Sequence, residues 1–155
     1  MSMNAMLSGM DISASGLTGE RLRMEVAANN IANQNSTRTA AGGPYQRQQV
    51  TFSAELDQIM APGGRISRRG AGAWQGLNGV TVAGVSSDTT PGETLFDPGH
   101  PDADASGHVR HSNVNVSREM VDLVTASRAY EANLKSLETF RQMTEQALSL
   151  LRGGR

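Results

Sequence analysis

The sequence predicts an α+β protein in which two long terminal helices pair in a coiled-coil-like manner, on either side of a β-rich, loop-rich middle segment. Three observations support this fold class. Apolar residues recur every seven positions near the N-terminus, they do so again near the C-terminus, and the region between is rich in Gly, Pro and strand-forming residues. We therefore place an N-terminal helix in residues 1–35, the middle segment in 36–112 and a C-terminal helix in 113–155.

The N-terminal helix is predicted by a series of large apolar residues at intervals of seven: Met3, Met10, Leu17, Met24 and Ile31. A second series, Leu7, Ala14 and Ala28, is interrupted by Arg21. Glycines at positions 9, 16 and 19 weaken the helix further, each by about 1 kcal/mol relative to Ala. We expect this helix to be marginally stable by itself.

The C-terminal helix is predicted by a second heptad series with two apolar residues on the neighbouring ridge: Val116, Leu123, Tyr130 and Leu137, then Met120 and Leu134. Ser117 is the expected N-cap, and Glu119 places negative charge where the helix dipole favours it. A helix that continues to Leu151 would be about 50 Å long. It would therefore exceed the width of the domain to which it belongs.

Between the helices, strand propensity is strongest at residues 45–52 and 80–85, and Gly84 in the second of these predicts a bulge. The Gly-rich stretch 63–79 is predicted to be an extended loop. Residues 89–107 contain three Pro and three Gly, which excludes a regular helix there.

Composition excludes several classes of function. Only 37% of the 155 residues are hydrophobic, so a large core is not expected. The net charge is −1 with no long basic block, which argues against nucleic acid as a partner. Cysteine is absent, which excludes disulfides and thiolate chemistry. No stretch of about 18 apolar residues occurs, so the chain is not expected to span a membrane, and its first residues do not match a cleaved signal peptide.

One group of residues suggests chemistry. A metal could be bound by the imidazoles and carboxylates of a segment rich in Asp and His: Asp97, His100, Asp102, Asp104, His108 and His111. Their spacing matches no helical ligand motif, and the prolines among them favour a solvated turn. We therefore predict no enzyme activity, no catalytic or metal site, no cofactor and no small-molecule substrate. The alternative is a periplasmic metal-dependent or wall-cleaving enzyme centred on His100, His108 and His111.

The two helices imply assembly, because a two-helix pair leaves much of its apolar surface in water. We infer that packing against other copies of the chain completes the core. The candidate interface residues of the first helix are Met3, Met10, Leu17, Leu22, Met24, Asn29, Ile31 and Asn33. Those of the second helix are Val116, Met120, Leu123, Tyr130, Leu134, Leu137 and Phe140. Possible loop contacts are Arg65, Arg68, Arg69 and Trp74.

Both ends of the chain resemble a known family. SASGLTGERLRMEVAANNIANQNSTRT, residues 13–39, is similar to the N-terminal signature of flagellar rod, hook and hook-associated proteins. NVNVSREMVDLVTASRAYEANLKSLETFRQMTEQALSL, residues 113–150, is similar to the matching C-terminal end. The short chain and FDPGHPDADASGHV, residues 96–109, most resemble the proximal rod members of the flagellar basal-body rod protein family. Another axial subunit of the flagellum, such as a different rod protein or a basal-body adaptor, is the alternative to a proximal rod protein.

The resemblance implies a tube built from the paired terminal helices, with the β-rich domain outside it. It implies a periplasmic rod of the flagellar basal body that transmits torque from the membrane ring towards the hook. Its partners would be other rod proteins, the membrane (MS) ring and the flagellar export apparatus. Export would proceed by the flagellar type III system without a cleaved signal peptide.

Overall fold

The computed structural model describes residues 3–40, 42–54 and 79–153. In chain order its elements are α1 (Met3–Ala32), β1 (Gln48–Ala54), β2 (Val80–Ser87), β3 (Thr94–Phe96), β4 (His108–Arg110) and α2 (Val116–Gly153). The predicted α+β fold, with long terminal helices and a β-rich middle, is confirmed. The candidate loop contacts Arg65, Arg68, Arg69 and Trp74 lie outside the described residues.

The two helices pack against each other in antiparallel orientation. A Cβ atom added to Gly9 near the start of α1 would lie 2.8 Å from Phe140 near the end of α2. At the other end of the pair, the Asn30 amide donates to Glu119 over 2.8 Å. The 38 residues of α2 make it about 57 Å long. Within residues 3–40, 42–54 and 79–153, neither helix has an apolar stretch long enough to cross a membrane.

Strands β1 and β2 form an antiparallel two-stranded sheet, from Gln48 opposite Ser87 to Ala54 opposite Val80. The register shifts between Thr51 and Phe52. Thr51 lies opposite Gly84 and Phe52 lies opposite Val82, so the residue of β2 between Val82 and Gly84 has no partner in β1. This irregularity confirms the bulge predicted at Gly84. The first strand begins at Gln48 rather than at residue 45, because the N–H of Tyr45 donates to Ser36 O over 3.1 Å instead of joining the sheet.

A second antiparallel pair, β3 with β4, was not predicted as strands. The turn between them is stabilised by Asp104, whose Oδ1 accepts the N–H groups of Ser106 at 2.8 Å and His108 at 2.9 Å. Gly107 follows in the left-handed region with φ 77°. Val109 is 1% exposed and anchors this hairpin to the rest of the fold. The exclusion of a helix from residues 89–107 is confirmed.

The N-cap of α2 is Asn115, so the prediction of Ser117 was wrong. Asn115 Oδ1 accepts the N–H of Arg118 at 3.1 Å, and its backbone oxygen accepts the N–H of Glu119 at 3.0 Å. This is the hydrogen-bond pattern of an N-cap residue. Ser117 lies inside the first turn, because the helix begins at Val116.

The interior of the described part of the chain contains more buried polar residues than buried large or small apolar ones, five against four. The buried apolar residues are Val26, Ala27, Val109 and Ala126. The buried polar residues are Ser13, Asn30, Arg47, Ser112 and Glu119. The large apolar residues that predicted the helices are therefore not the ones that fill the interior.

Candidate functional site

The seam between α1 and α2 is built from small and polar residues. A Cβ atom added to Gly16 would lie 2.8 Å from the Asn133 amide, as one on Gly9 would from Phe140. Between these two contacts, Ser13 Oγ lies 3.5 Å from the hydroxyl of Ser136. The glycines that weaken an isolated α1 thus allow the closest approach of α2.

The predicted apolar series lie beside this seam rather than in it. On α1 each member of the series follows a seam position by one residue, as Met10 follows Gly9 and Leu17 follows Gly16, so the series lies about 100° round the helix. On α2 each member of the series precedes a seam position by three residues, as Leu123 precedes Ala126. Three residues are about 60° short of a full turn, so this series lies about 60° round the helix from the seam. Since the helices are antiparallel, both rotations lead to the same side of the pair.

The β1–β2 sheet covers the opposite side. A Cβ atom added to Gly19 of α1 would lie 2.8 Å from Phe52 of β1, and the Arg47 guanidinium lies 3.3 Å from Asp122 of α2. The side away from the sheet is here named the apolar face. Its described members are Met10, Leu17, Met24 and Ile31 of α1, and Val116, Met120, Leu123, Tyr130, Leu134 and Leu137 of α2.

The apolar face is incompletely covered. Its heptad residues on both helices are half-buried, and Met120 and Leu134 at its edge are 54% and 42% exposed. The side chain of Met3 lies outside those described. The second predicted series of α1 was wrong as a seam, because Ala14, Arg21 and Ala28 are all exposed. Arg21 is there free to pair with Glu25 at 3.1 Å, which explains the interruption of that series.

Four other candidate interface residues lie elsewhere. Phe140 fills the seam opposite Gly9, and Leu22 is half-buried on the sheet side, between Gly19 and Val26 in the helical repeat. Asn29 and Asn33 close the end of α1. The Asn33 amide donates to the carbonyl of Asn29 at 3.0 Å and to its side-chain oxygen at 2.9 Å.

A buried polar cluster joins the sheet end of the helix pair to β1; we name it the Asn30 network, and it consists of Asn30, Tyr45, Arg47, Gln48 and Glu119. Asn30 is 0% exposed and its carboxamide makes four hydrogen bonds. It donates to Glu119 Oε2 at 2.8 Å and to Gln48 O at 2.9 Å, and it accepts from Gln48 N–H and Tyr45 Oη–H, both at 2.9 Å. The hydrogen-bonding capacity of this amide is thereby filled.

The charges of the network are compensated by an ion pair. Arg47 Nε lies 2.5 Å from Glu119 Oε1, and the two side chains are 9% and 2% exposed. A second carboxylate, Asp122, contacts Arg47 at 3.3 Å and Arg23 at 3.2 Å. Burial, and secondarily the negative charge of Glu119, raises the pKa of the Tyr45 phenol. From the sequence, Glu119 was assigned to the helix dipole and to the C-terminal family signature, not to an ion pair, and neither Asn30 nor Arg47 was selected as a site residue.

The segment rich in Asp and His makes local turns. Besides the turn at Asp104, the Asp97 carboxylate accepts the N–H of Gly99 at 3.1 Å, and His100 Nδ1 accepts the N–H of Asp102 at 3.1 Å. The hydrogen bonds to Asp104 hold the pKa of its carboxyl below the usual range. In the part of the chain that the structure describes, no three such side chains are arranged to hold a metal ion.

Comparison with known proteins assigns the family. The family model described as "Flagella basal body rod protein" matches residues 10–40, and the one described as "Flagellar basal body rod FlgEFG protein C-terminal" matches residues 105–150. The flagellar basal-body rod protein FlgC of Borreliella burgdorferi is 39% identical in an alignment that covers 96% of this chain and 99% of the relative. The chain belongs to the flagellar basal-body rod protein family.

Other members of the rod family agree along nearly the whole chain. FlgC of Salmonella typhimurium is 38% identical over 146 residues, which cover 94% of this chain and 98% of the relative. FlgC of Bacillus subtilis is 33% identical in an alignment that covers 91% of this chain and 95% of the relative. The resemblance stated from the sequence is confirmed, and the chain is a structural component of the basal-body rod, not an enzyme. Membership of the rod family implies assembly with other rod subunits.

Proposed function

We propose that this rod-family chain assembles by packing its apolar face against the terminal helices of neighbouring copies and of other rod proteins, so that the helix pairs form the wall of a tube. One observation carries the proposal. Apart from Phe140, the described seam within the pair uses small and polar residues, while the large apolar residues of the heptad series lie beside it and are only partly covered. A partner helix would bury them.

The exposed residues offer enough energy for such contacts. Full burial of a large aliphatic side chain contributes roughly 1.5–3 kcal/mol. Met120 and Leu134 are 54% and 42% exposed, so completing their burial would contribute about 1 kcal/mol each. The half-buried heptad residues add smaller amounts along the length of α2. Repeated at every subunit contact, these terms favour a polymer over a monomer.

The same physics suits the cellular setting that we propose. Helices that gain much of their stability on assembly remain easy to unfold beforehand, which suits passage through the flagellar type III system. The chain would then assemble as the proximal part of a periplasmic rod, adjoining the MS ring and the export apparatus. There the tube wall transmits torque towards the hook, and the middle segment 36–112 braces neighbouring subunits on the outside.

The test places a charge on the apolar face and, as a control, on the other side of the same helix. Leu137→Asp is expected to lower the amount of the chain in purified basal bodies at least tenfold and to abolish motility, while export continues. Thr139→Asp, two residues away on an exposed side of α2, is expected to leave the amount of the chain in basal bodies and the motility within twofold of the native values. A motile Leu137→Asp strain with normal basal bodies would contradict the proposal.

A second measurement concerns the isolated chain. Limited proteolysis of dilute protein is expected to cut first within the parts of α1 and α2 farthest from the sheet, since only partner subunits complete their packing. Cleavage should be slower near residue 30 and residue 119, which the Asn30 network holds. Full protection of both helix ends in a dilute monomer would contradict the idea that assembly completes the core.

A further inference from the structure

The apolar residues of the two helices do not by themselves define how far along α1 the helix α2 should lie. Both series repeat every seven residues, and so do the two seam glycines, Gly9 and Gly16. A displacement of α2 by seven residues would therefore bring equivalent apolar residues together again. Something other than hydrophobic matching must select one register.

One alternative register again places a glycine opposite Phe140. If α2 moved by seven residues, Phe140 would face Gly16 instead of Gly9, and another glycine would accept its ring. Met143 would then take the place of Ser136 opposite Ser13. The apolar face would still be formed, because each heptad residue would take the place of the next.

The displacement would, however, break the contacts between α2 and the rest of the Asn30 network, because Glu119 is the member of the network that lies on α2. Asn30 would face the methyl group of Ala126, and the buried Arg47 would lose the carboxylate of Glu119. Asn30 would keep its hydrogen bonds to Gln48 and Tyr45, but one of its buried N–H groups would lose its acceptor, and the buried guanidinium of Arg47 would lose its carboxylate partners. Both losses are unfavourable in the interior, and the loss at the charged guanidinium is the larger. At this end of the described seam, the displaced helix therefore leaves buried polar and charged groups without an acceptor.

We infer that the Asn30 network sets the register of the terminal helix pair: Asn30, Arg47 and Glu119 are positioning residues that select one alignment of α1 and α2 and thereby fix which residues the apolar face presents. A buried polar group that specifies register at some cost in stability is known from coiled coils. The inference concerns contacts within one chain and does not depend on the assembly proposed above.

The absence of cysteine from the chain makes the register directly measurable. A Ser13→Cys, Ser136→Cys pair reports the observed register, because the two hydroxyl oxygens lie 3.5 Å apart. A Ser13→Cys, Met143→Cys pair reports the register displaced by seven residues. Both pairs are placed in the full-length chain, and disulfide yield after mild oxidation is measured on denaturing gels. With the network intact, the first pair is expected to form at least ten times more disulfide than the second.

The decisive background replaces the network by apolar residues of similar size: Asn30→Leu, Arg47→Met and Glu119→Leu. Replacing a buried charged cluster in this way often leaves stability unchanged or raised. The yield of the displaced pair is expected to rise at least fivefold, whereas the circular-dichroism signal of the helices persists. If only the observed register forms in this background, the connecting segments that precede α2, where Ser112 Oγ donates to Gln34 O at 2.6 Å, set the register and the inference is overturned.

Single substitutions keep the test decisive if the triple variant does not fold. Asn30→Leu is expected to raise the displaced-pair yield. Asn29→Leu removes only exposed contacts, at 3.2 Å with the Tyr45 hydroxyl and at 2.9 Å with the Asn33 amide, and leaves the bonds to Glu119 intact, so it is expected to leave that yield close to the native value. Glu119→Gln, which keeps one of the two acceptor oxygens and places an amide NH2 group at the other position, is expected to preserve the observed register more fully than Glu119→Leu, which keeps neither acceptor. Equal yields for Asn30→Leu and Asn29→Leu would refute the role of Asn30.

Discussion

Removal of the Glu119 carboxylate is the sharpest test of how the helix pair is held to the sheet. In Glu119→Ala, Arg47 Nε loses an acceptor at 2.5 Å and one Asn30 N–H loses an acceptor at 2.8 Å, both in the interior. Breaking a buried ion pair by removing one partner costs about 3–5 kcal/mol. Because Asp122 still lies 3.3 Å from Arg47, we expect a value near the lower end, about 3 kcal/mol.

The expected loss is large enough for a simple measurement. For a chain of this size, 1 kcal/mol corresponds to roughly 2–4 °C in Tm, so Glu119→Ala should lower Tm by about 6–12 °C. Thermal unfolding is followed by far-UV circular dichroism on full-length protein, with urea unfolding as a second measurement. The control is Glu138→Ala, which removes an exposed carboxylate that pairs with Lys135 and should change the free energy of unfolding by less than about 1 kcal/mol.

The double variant Arg47→Met, Glu119→Leu decides the cause. If the loss in Glu119→Ala comes from a stranded guanidinium, removing both charges should be less damaging than removing Glu119 alone. A double variant that is as unstable as the sum of the two single variants would refute this reasoning. A change of less than about 1 kcal/mol in Glu119→Ala would show that the pair does not hold the helices.

Three further predictions concern the seam and the titrating groups. Gly9→Val should push Phe140 away and speed protease cleavage at the helix ends severalfold, whereas Gly84→Val, where an added Cβ meets no atom within 4 Å, should not. The pKa of the Tyr45 phenol, measured by ultraviolet absorbance, should lie above the usual value of 10.0. Because the folded state favours the neutral phenol, Tyr45 contributes stability at pH values below 10.0, and this contribution is lost as the pH rises through the pKa of the folded state. The carboxyl of Asp104 should titrate below 3.8 by NMR; its stabilisation is present above that pH and is lost on acidification, and Asp104→Asn should remove it.

The helices could be predicted from the sequence because their apolar residues repeat with the period of a coiled coil. Val116, Leu123, Tyr130 and Leu137 mark α2 whichever surface they eventually cover. Strands β1 and β2 were also found from propensity, although Tyr45 is withdrawn from the first by a turn contact. The three-residue strands β3 and β4 are too short for a periodic signal.

The seam could not be predicted, because its residues are those that sequence reasoning counts against a helix. Gly9 and Gly16 reduce helix propensity, and this cost is visible in the sequence, whereas the close approach that they permit is visible only when α2 is in place. The ion pair of Arg47 and Glu119 joins residues 72 positions apart. Single-sequence periodicity carries no information on such a pair.

The use of small and polar residues in the seam leaves the large apolar residues available for contacts between subunits. Had Leu123 and Leu137 been directed into the seam, the helix pair would be more stable alone and would have less apolar surface to offer a neighbour. Small residues hold the helices together by close contact. Asn30 and Glu119 hold them by a buried hydrogen bond, which is stronger than the same bond would be in contact with water. In the proposed assembly, the apolar face supplies the contacts between subunits, while hydrogen bonds and the close contacts of small residues align the two helices within one chain. It follows that substitutions in the network should alter the alignment of the two helices, whereas substitutions of the exposed apolar residues Met120 and Leu134 should alter association more than the fold of the chain.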